Sequence, residues 1–237
     1  MDESHRPQRT AFFGRRHGHK LGPRQAGLFR SLLPCLALDL TAAAPRDLAS
    51  LFSPSVDSVR LEIGFGGAEY LIAEAERHPR TGFIGVEPFV NGMAKALSAI
   101  EARKLPNIRL HHGEASAVMG WLPANSLACL DLVYPDPWPK RRHWKRRFVQ
   151  DESLTGIARV LREGGEFRFA TDIPDYAAWT LERGLRARGL VWTAERADDW
   201  RNPWSGFAGT RYEAKARSAG RVPCYLIFRK KQAAPAA

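Results

Sequence analysis

Cysteine and long apolar runs are scarce in this chain of 237 residues, and each absence argues against particular classes of protein. The three cysteines, Cys35, Cys129 and Cys224, are far apart and odd in number, and none belongs to a C-x-x-C pair. This pattern indicates neither a disulfide framework nor a zinc site. No run approaches the roughly 18 apolar residues of a membrane span, and the N-terminus lacks the apolar segment of a signal peptide. We therefore expect a cytoplasmic protein with no membrane partner and no metal.

Acidic residues are nearly missing from the segments in which basic residues concentrate. The net charge is +11, and residues 6–30, 140–147 and 211–231 together hold 20 of the 36 lysines and arginines but a single acid, Glu213. A strongly basic and clustered charge favours a polyanionic partner. We expect that partner to be a nucleic acid, and we favour a monomer.

From residue 59 onward, short apolar runs alternate with amphipathic stretches, which is typical of βαβ units and a parallel sheet. Strands are predicted at 59–63, 82–87, 108–112, 127–134, 166–171, 191–196 and 224–229. Helices are predicted at 68–77, 91–103, 153–162 and 176–188. The fold class is therefore α/β. We expect one domain over 46–231, a basic N-terminal arm and leading helix over 1–45 with residues 1–30 mobile, and a disordered tail over 232–237.

A glycine turn with acids around it indicates a small-molecule site. Gly64 and Gly66 lie between a predicted strand and helix, where open α/β sheets bind ligands. Glu87 ends the second strand at the spacing of an acid that binds ribose hydroxyls. Glu62 precedes the turn, where it would repel a pyrophosphate and attract an ammonium. S-adenosylmethionine fits this pair better than a nicotinamide dinucleotide, which remains the alternative. Glu114 follows strand three and could reach the adenine, although an acid favoured by a helix dipole is nearly as good an explanation.

The segment Pro135-Asp136-Pro137-Trp138-Pro139 is a stiff turn that carries a carboxylate. Proline disfavours helix at the residue before it, so Tyr134, Asp136 and Trp138 are predicted to be extended. The next eight residues, 140–147, contain six lysines or arginines, together with a histidine and a tryptophan. This combination suits phosphates and a stacked base, whereas a solvated charge run is the alternative.

Five motifs in this order resemble the bacterial tRNA (guanine-N7)-methyltransferase family. They are L-E-I-G-x-G at 61–66, G-V-E at 85–87, P-D-P-W-P-K at 135–140, T-D at 171–172 and T-R-Y-E at 210–213. The resemblance runs from about residue 10 to 230. It implies a three-layer Rossmann-like class I methyltransferase with a mostly parallel seven-stranded sheet and an antiparallel last strand. It also implies methyl transfer from S-adenosylmethionine to N7 of guanine 46, in the variable loop of tRNA.

The resemblance assigns roles to individual residues. The donor would be bound by Glu62, Gly64, Gly66, Glu87, Glu114 and Asp136, with Asp136 also catalytic. Glu114 stands where the family usually has Asn or Asp. The tRNA would be bound by Lys140, Arg142, His143, Trp144, Lys145, Arg146, Arg147, Asp172, Thr210, Arg211, Tyr212 and Glu213.

Guanine N7 carries a lone pair and no proton, so the reaction needs no general base, and alignment and electrostatics should supply the catalysis. Asp136 would stabilise the positive charge that grows on the ring, and Asp172 would orient the base through its N1 and N2 hydrogens. An Asx turn at Asp136 and a helix cap at Asp172 are structural alternatives.

Two other functions stay open. One is methylation of an exocyclic amine, because Asp-Pro-Trp resembles the turn of amino-group methylating enzymes, and the other is RNA binding without catalysis.

Overall fold

The computed structural model describes residues 14–232. The first thirteen residues of the predicted arm and residues 233–237 of the predicted tail lie outside the described residues. The strands are β1 Ser58–Ile63, β2 Thr81–Val86, β3 Ile108–His111, β4 Leu127–Val133, β5 Leu161–Thr171, β6 Leu190–Trp192 and β7 Cys224–Lys230. The α-helices are α1 Pro23–Ser31, α2 Leu33–Leu36, α3 Glu69–Arg77, α4 Val90–Arg103, α5 Ala115–Trp121, α6 Asp151–Val160, α7 Pro174–Arg186, α8 Asp198–Arg201 and α9 Arg211–Ser218. Two 3₁₀ helices span Leu48–Leu51 and Arg141–Arg146.

The seven strands form one sheet in the order β3-β2-β1-β4-β5-β7-β6. All pairings are parallel except those of β7, which runs antiparallel to β5 and β6. The predicted fold, including the antiparallel last strand, is confirmed. Strands β1 to β5 therefore end at one edge of the sheet, and β7 begins there, with Cys224 paired to Thr171. Residues that follow β1–β5 and residues that precede β7 meet at this edge.

One face of the sheet is apolar and holds the main core. On β1, Val59, Leu61 and Ile63 point to this face, because side chains alternate along a strand. They pack with α6, α7 and the 3₁₀ helix Leu48–Leu51. The buried core side chains from the other strands include Ile84, Val86, Leu130, Leu132, Phe167, Phe169 and Phe228.

The opposite face combines an apolar half with a charged half. Its β2–β3 half packs on α1, α3 and α4. Next to it, Arg60 donates hydrogen bonds to Glu74 at 2.7 Å and to Asp131 at 2.9 Å, and the Tyr70 hydroxyl donates to Asp131 at 3.2 Å. All four of these side chains are buried. The network joins β1, β4 and α3, and it places a charge beside Glu62, which is paired in register with Asp131.

The described part of the N-terminal segment is packed against the fold. The Val90 amide donates to the Arg16 carbonyl at 2.9 Å. The Asn91 side chain accepts from the Gly18 amide at 2.8 Å and donates to the His19 carbonyl at 2.7 Å. Helix α1 then buries Leu28 in the apolar cluster with α4. Residues 16–30, which we predicted to belong to a mobile arm, therefore make contacts with the fold in this structure.

Two predicted boundaries are wrong, and a glycine and an aspartate give the physical reasons. The helix predicted over 153–162 ends at Val160, and Gly164, at φ +70°, lies inside β5 next to a register shift against β4. Glycine there permits a β-bulge. The strand predicted over 191–196 stops at Trp192, because the amides of Glu195 and Arg196 donate to the Asp199 carboxylate.

Candidate functional site

The loop between β1 and α3 is shaped by glycine. Gly64 has φ +73° and Gly66 has φ +53°, a region that L side chains rarely adopt. Helix α4 approaches the same loop so closely that a Cβ on Gly92 would lie 2.3 Å from the Gly66 carbonyl oxygen. The loop backbone therefore lies against α4 and is open to a ligand beyond the ends of the strands.

Glu87 is locked beside this loop. One carboxylate oxygen accepts from the Gly66 amide at 2.7 Å, and the other accepts from the Phe89 amide at 2.9 Å. Burial raises the pKa of Glu87, these two hydrogen bonds oppose the shift, and the charge of nearby Asp136 adds to it. Because a carboxylate has about four lone-pair sites, each oxygen keeps capacity for a ligand hydroxyl.

Glu62 is buried without a partner that neutralises it. The residue is 5 % exposed, and among residues 14–232 no group donates a hydrogen bond to its carboxylate. Burial raises the pKa of Glu62 well above its ordinary value, the Asp131 charge adds to the shift, and Arg60 opposes it. An isolated buried carboxylate is costly. Its position at the glycine loop fits a ligand that brings a cation or hydrogen-bond donors.

Glu114 lies at the far end of the same edge and is engaged by the N-terminal segment. Its carboxylate accepts from the Arg16 guanidinium at 2.6 Å. Glu114 also occupies the N-cap position of α5, although its side chain makes no capping hydrogen bond. Glu114 therefore lies both at the start of a helix and at the ligand-facing edge of the sheet, so its position agrees with both explanations given for it.

The Asp136 turn has a backbone that we predicted incorrectly at two positions. Tyr134 has φ +52° and Trp138 has φ +43°, so neither is extended. The following prolines disfavour the right-handed helical region, and both residues take the left-handed region instead, which is strained for an aromatic residue. Between them Asp136 is exposed, no Asx turn forms, and the surrounding protein atoms raise its pKa above the ordinary value.

The basic block after the turn presents some of its cations to solvent. Lys140, Arg142 and Lys145 are exposed on or beside the 3₁₀ helix Arg141–Arg146. Arg146 stacks on the Trp138 ring at 5.0 Å, and His143 packs edge-on against the same ring at 5.9 Å. The exposed members form a cationic surface next to Asp136.

Two members of the block point inward. The Arg147 side chain has no exposed surface, and its guanidinium lies among aromatic rings. Trp144 packs on Arg147 at 4.7 Å and on Arg141 at 5.7 Å, with Trp179 against its edge. Arg147, which we predicted to contact RNA, has no exposed side-chain surface to offer a phosphate in this structure. Trp144 does not present a free face for a base.

Asp172 follows β5 and is already paired. Its carboxylate accepts from Arg221 Nε at 2.5 Å. It does not cap α7, because the Ile173 amide bonds to the Thr171 hydroxyl at 3.2 Å and the N-cap side chain makes no bond. Of the two explanations for Asp172, the helix cap is excluded.

The segment 210–213 divides into structural and outward-facing residues. Thr210 caps α9 by accepting from the Glu213 amide at 3.1 Å. The Glu213 carboxylate is buried and accepts from the Tyr225 hydroxyl at 2.6 Å and from Arg217 at 2.8 Å. The pattern T-x-x-E is a capping-box signature, and it could have revealed α9 in the sequence.

Arg211 and Tyr212 instead lie over the glycine loop between β1 and α3. Arg211 lies 3.6 Å from the Glu69 carboxylate, and a Cβ on Gly66 would lie 3.4 Å from the Tyr212 ring. A cavity of about 480 Å³ opens between α3 and this segment, and Glu69 and Arg217 are part of its lining. Sequence motifs had not indicated Glu69 or Arg217. The end of the chain therefore forms one wall of the site.

In the range 14–232, no three histidine, cysteine or acidic side chains lie close enough together to hold a metal ion. None of the helices described is both long enough and apolar enough to cross a membrane.

Known proteins resemble the chain over almost its whole length. A family described as putative methyltransferase matches residues 57–225. A tRNA (guanine-N(7)-)-methyltransferase of Rhodopseudomonas palustris (strain BisA53) is 59% identical over 223 residues, covering 94% of this chain and 89% of the relative. The protein of the same name from Brucella abortus (strain 2308) is 56% identical over 230 residues, covering 96% and 98%. The chain belongs to the bacterial tRNA (guanine-N7)-methyltransferase family.

Solved structures support the same fold at low identity. The 16S rRNA methyltransferase KamB aligns with a TM-score of 0.54 at 17% identity, covering 75% of this chain and 89% of that one. The [4+2]-cyclase SpnF aligns with a TM-score of 0.51 at 15% identity, covering 83% and 86%. The fold therefore hosts more than one kind of reaction, and the site residues must decide which one applies.

Proposed function

We propose that this chain is a cytoplasmic tRNA (guanine-N7)-methyltransferase that transfers a methyl group from S-adenosylmethionine to guanine 46 of the variable loop. The observation that carries the proposal is the placement of three carboxylates at one sheet edge. Glu62 is buried without an ion pair to any residue in the range 14–232, Glu87 is held by two amides, and Asp136 is close enough to affect the pKa of Glu87.

The residues present fit this donor. Glu62 would accept the amino-acid ammonium, and the two oxygens of Glu87 would accept the ribose hydroxyls. Gly64 and Gly66 leave the loop backbone accessible between them. A dinucleotide fits less well, because its pyrophosphate would lie against the Glu62 charge. When bound, S-adenosylmethionine supplies a methyl group on a positively charged sulfur.

Asp136 is the group that acts on the substrate. Guanine N7 has no proton to lose, so the fixed carboxylate contributes by stabilising the charge that develops on the ring. Only the ionised form can do this. Because the pKa of Asp136 is raised, its protonation, and with it the loss of activity, should begin at a higher pH than for an ordinary aspartate.

The exposed cations of the basic block support an RNA substrate, because they can bind its phosphates. Lys140, Arg142 and Lys145 lie directly after the catalytic turn, so phosphates bound there would bring a guanine towards Asp136. We assign RNA binding to these exposed residues. Such contacts make affinity fall steeply with salt.

Asp136→Asn tests the proposal, because it removes the charge and keeps the shape. We expect kcat to fall by about 10²–10³-fold, the loss typical of a preorganised electrostatic group, with thermal unfolding unchanged. The assay incubates labelled donor with unmodified tRNA and detects strand scission specific to 7-methylguanosine. Normal turnover would remove Asp136 from the mechanism.

Two other outcomes of these assays would establish the alternative functions. A neutral methylated amine as the product would establish exocyclic-amine methylation, in which the carboxylate would instead accept hydrogens from the attacking nitrogen. Binding of tRNA without saturable uptake of the donor would establish a non-catalytic RNA-binding protein.

A further inference from the structure

Arg147 differs from its neighbours in the basic block. Its side chain has no exposed surface, whereas Arg142 and Lys145 in the same block are exposed. Burying a guanidinium is expensive unless its contacts compensate. A cation turned inward at the end of a nucleic-acid-facing segment therefore needs an explanation other than phosphate binding.

Aromatic rings surround the Arg147 guanidinium. Its central carbon lies 4.7 Å from the Trp144 ring, 4.8 Å from Tyr176 and 5.0 Å from Trp179. The Nη1 atom is buried without a hydrogen-bond partner, so π faces are its compensation. Two of the three rings belong to α7, so the cage attaches the basic block to that helix.

The polar contacts of Arg147 lead to the catalytic turn. Nε donates to the Pro137 carbonyl at 2.9 Å, and Nη2 donates to the Asp175 carboxylate in the first turn of α7. Pro137 is the residue directly after Asp136. The guanidinium therefore links the Asp136 turn to a helix of the main core.

The turn needs such a link. Asp136 makes no hydrogen bond of its own to residues 14–232, and Tyr134 and Trp138 on either side have strained positive φ values. Strained backbone persists only where surrounding contacts hold it. On the strand side the Tyr134 amide bonds to the Ala170 carbonyl at 2.8 Å, and on the other side Arg147 holds Pro137.

We propose that Arg147 is a positioning residue that holds the Asp136 carboxylate in place for methyl transfer through its bond to the Pro137 carbonyl. The inference rests on the catalytic role of Asp136 in the proposed function. Arginine is required because its planar fork donates in two directions while its faces stack on rings. Lysine supplies the charge without that geometry.

Arg147→Lys tests this role, with Arg142→Gln as a matched variant at an exposed position of the same block. We expect Arg147→Lys to lower kcat by about 10- to 100-fold, the effect of a misplaced catalytic group, while KM for tRNA and its salt dependence stay unchanged. Arg142→Gln should instead act on RNA binding. It should raise KM for tRNA and lower the logarithmic salt slope by about 0.9. A raised KM with unchanged kcat in Arg147→Lys would overturn the proposal.

A double-mutant cycle distinguishes this inference from the function on which it rests. If Arg147 acts through Asp136, Arg147→Lys should cost little more in the Asp136→Asn background, because residues that act as a unit are not additive. A fully additive loss would overturn the positioning role while leaving the methyltransferase proposal intact. Normal turnover in Asp136→Asn alone would instead refute the catalytic assignment.

Chemical rescue provides a second test if the lysine of Arg147→Lys still bonds to the Pro137 carbonyl from within the aromatic cage. Arg147→Ala leaves a space of guanidinium shape, and its folding is checked by thermal unfolding. We expect guanidinium ion, well below unfolding concentrations, to restore kcat and ammonium to restore none. If the folded Arg147→Ala protein shows no recovery, the proposal fails. If this variant does not fold, the Arg147→Lys kinetics decide.

Discussion

The carboxylates on the two sides of the site differ in what neutralises them. On the side where we propose that the methyl donor binds, called the donor side, Glu62 and Glu87 are buried, and neither forms an ion pair with any residue in the range 14–232. On the side where we propose that the tRNA binds, called the substrate side, Asp172 pairs with Arg221, and Glu213 pairs with Arg217. The carboxylates in one half of the crevice are therefore left without an ion pair by residues 14–232, whereas those in the other half are paired with arginines.

This difference indicates how each half meets its ligand. A buried carboxylate without a cation destabilises the free protein, and a positive ligand removes that cost. The donor side is thus prepared for a cation. The substrate side is already satisfied, so RNA binding there has to displace an arginine or use other residues. The exposed Lys140 and Arg142 provide such an alternative.

Glu62→Gln should produce the largest change, and in two opposite directions. Donor affinity should fall by about 10- to 100-fold, because a charged hydrogen bond contributes about 1.5–3 kcal/mol. The donor-free protein should become more stable, since the substitution removes a desolvated charge. Calorimetric titration with S-adenosylmethionine and thermal unfolding without it measure the two effects. If Glu62→Gln lowered the donor affinity and also made the donor-free protein less stable, the claim that Glu62 is an uncompensated charge would be wrong.

The pH dependence sharpens the same prediction. The pKa of Glu62 is raised in the folded state, so folding takes up a proton and stability falls as pH rises through the raised value. Glu62→Gln should flatten that fall in the donor-free protein. Glu101→Gln is the matched control, because Glu101 forms an exposed pair with Arg24, and it should change neither donor affinity nor the pH profile.

Tyr225→Phe should give an intermediate effect on the substrate side. It removes a 2.6 Å hydrogen bond to the buried Glu213 carboxylate and leaves Arg217 as the remaining partner. We expect a loss of about 1–3 kcal/mol in the free energy of unfolding, measured by denaturant titration. Tyr212→Phe is the control, since within residues 14–232 that hydroxyl accepts a hydrogen bond from exposed Arg211 alone, and its removal should cost little. Equal losses in both variants would mean that Glu213 is not held through Tyr225.

On the donor side, the placement of the residues at the edge of the sheet could be predicted from the sequence, because short-range rules fix it. Gly64, Gly66 and Glu87 follow from where a parallel strand ends and a helix begins. The mostly parallel seven-stranded sheet and its antiparallel last strand followed from the family resemblance, and the structure confirms them. What no local pattern could indicate is that Glu62 has no hydrogen-bond donor among residues 14–232, since this depends on Arg60 bonding to Glu74 and Asp131 instead.

The substrate side was predicted less well, because its contacts join distant segments. Asp172 meets Arg221 across 49 positions, and Arg147 meets α7 across 28. Charge patterning treats all members of a basic run alike, so it could not separate buried Arg147 from exposed Arg142. Only the cap at Thr210 had a local signal, the T-x-x-E spacing, which motif matching assigned to RNA binding instead.

Arg221→Ala should have the smallest effect. Its partner Asp172 is mostly buried, but Arg221 itself is 42% exposed, and exposed ion pairs contribute about 0–1 kcal/mol. We expect a loss of stability below about 1 kcal/mol at low salt that disappears at high salt, where surface charges are screened. Parallel denaturant titrations of Arg221→Ala and Tyr225→Phe at both salt concentrations measure it. A loss as large as that of Tyr225→Phe would show that Asp172 depends on Arg221 as strongly as Glu213 depends on Tyr225. The guanine edge could then not replace Arg221 at low cost, and the base would have to be oriented by other groups.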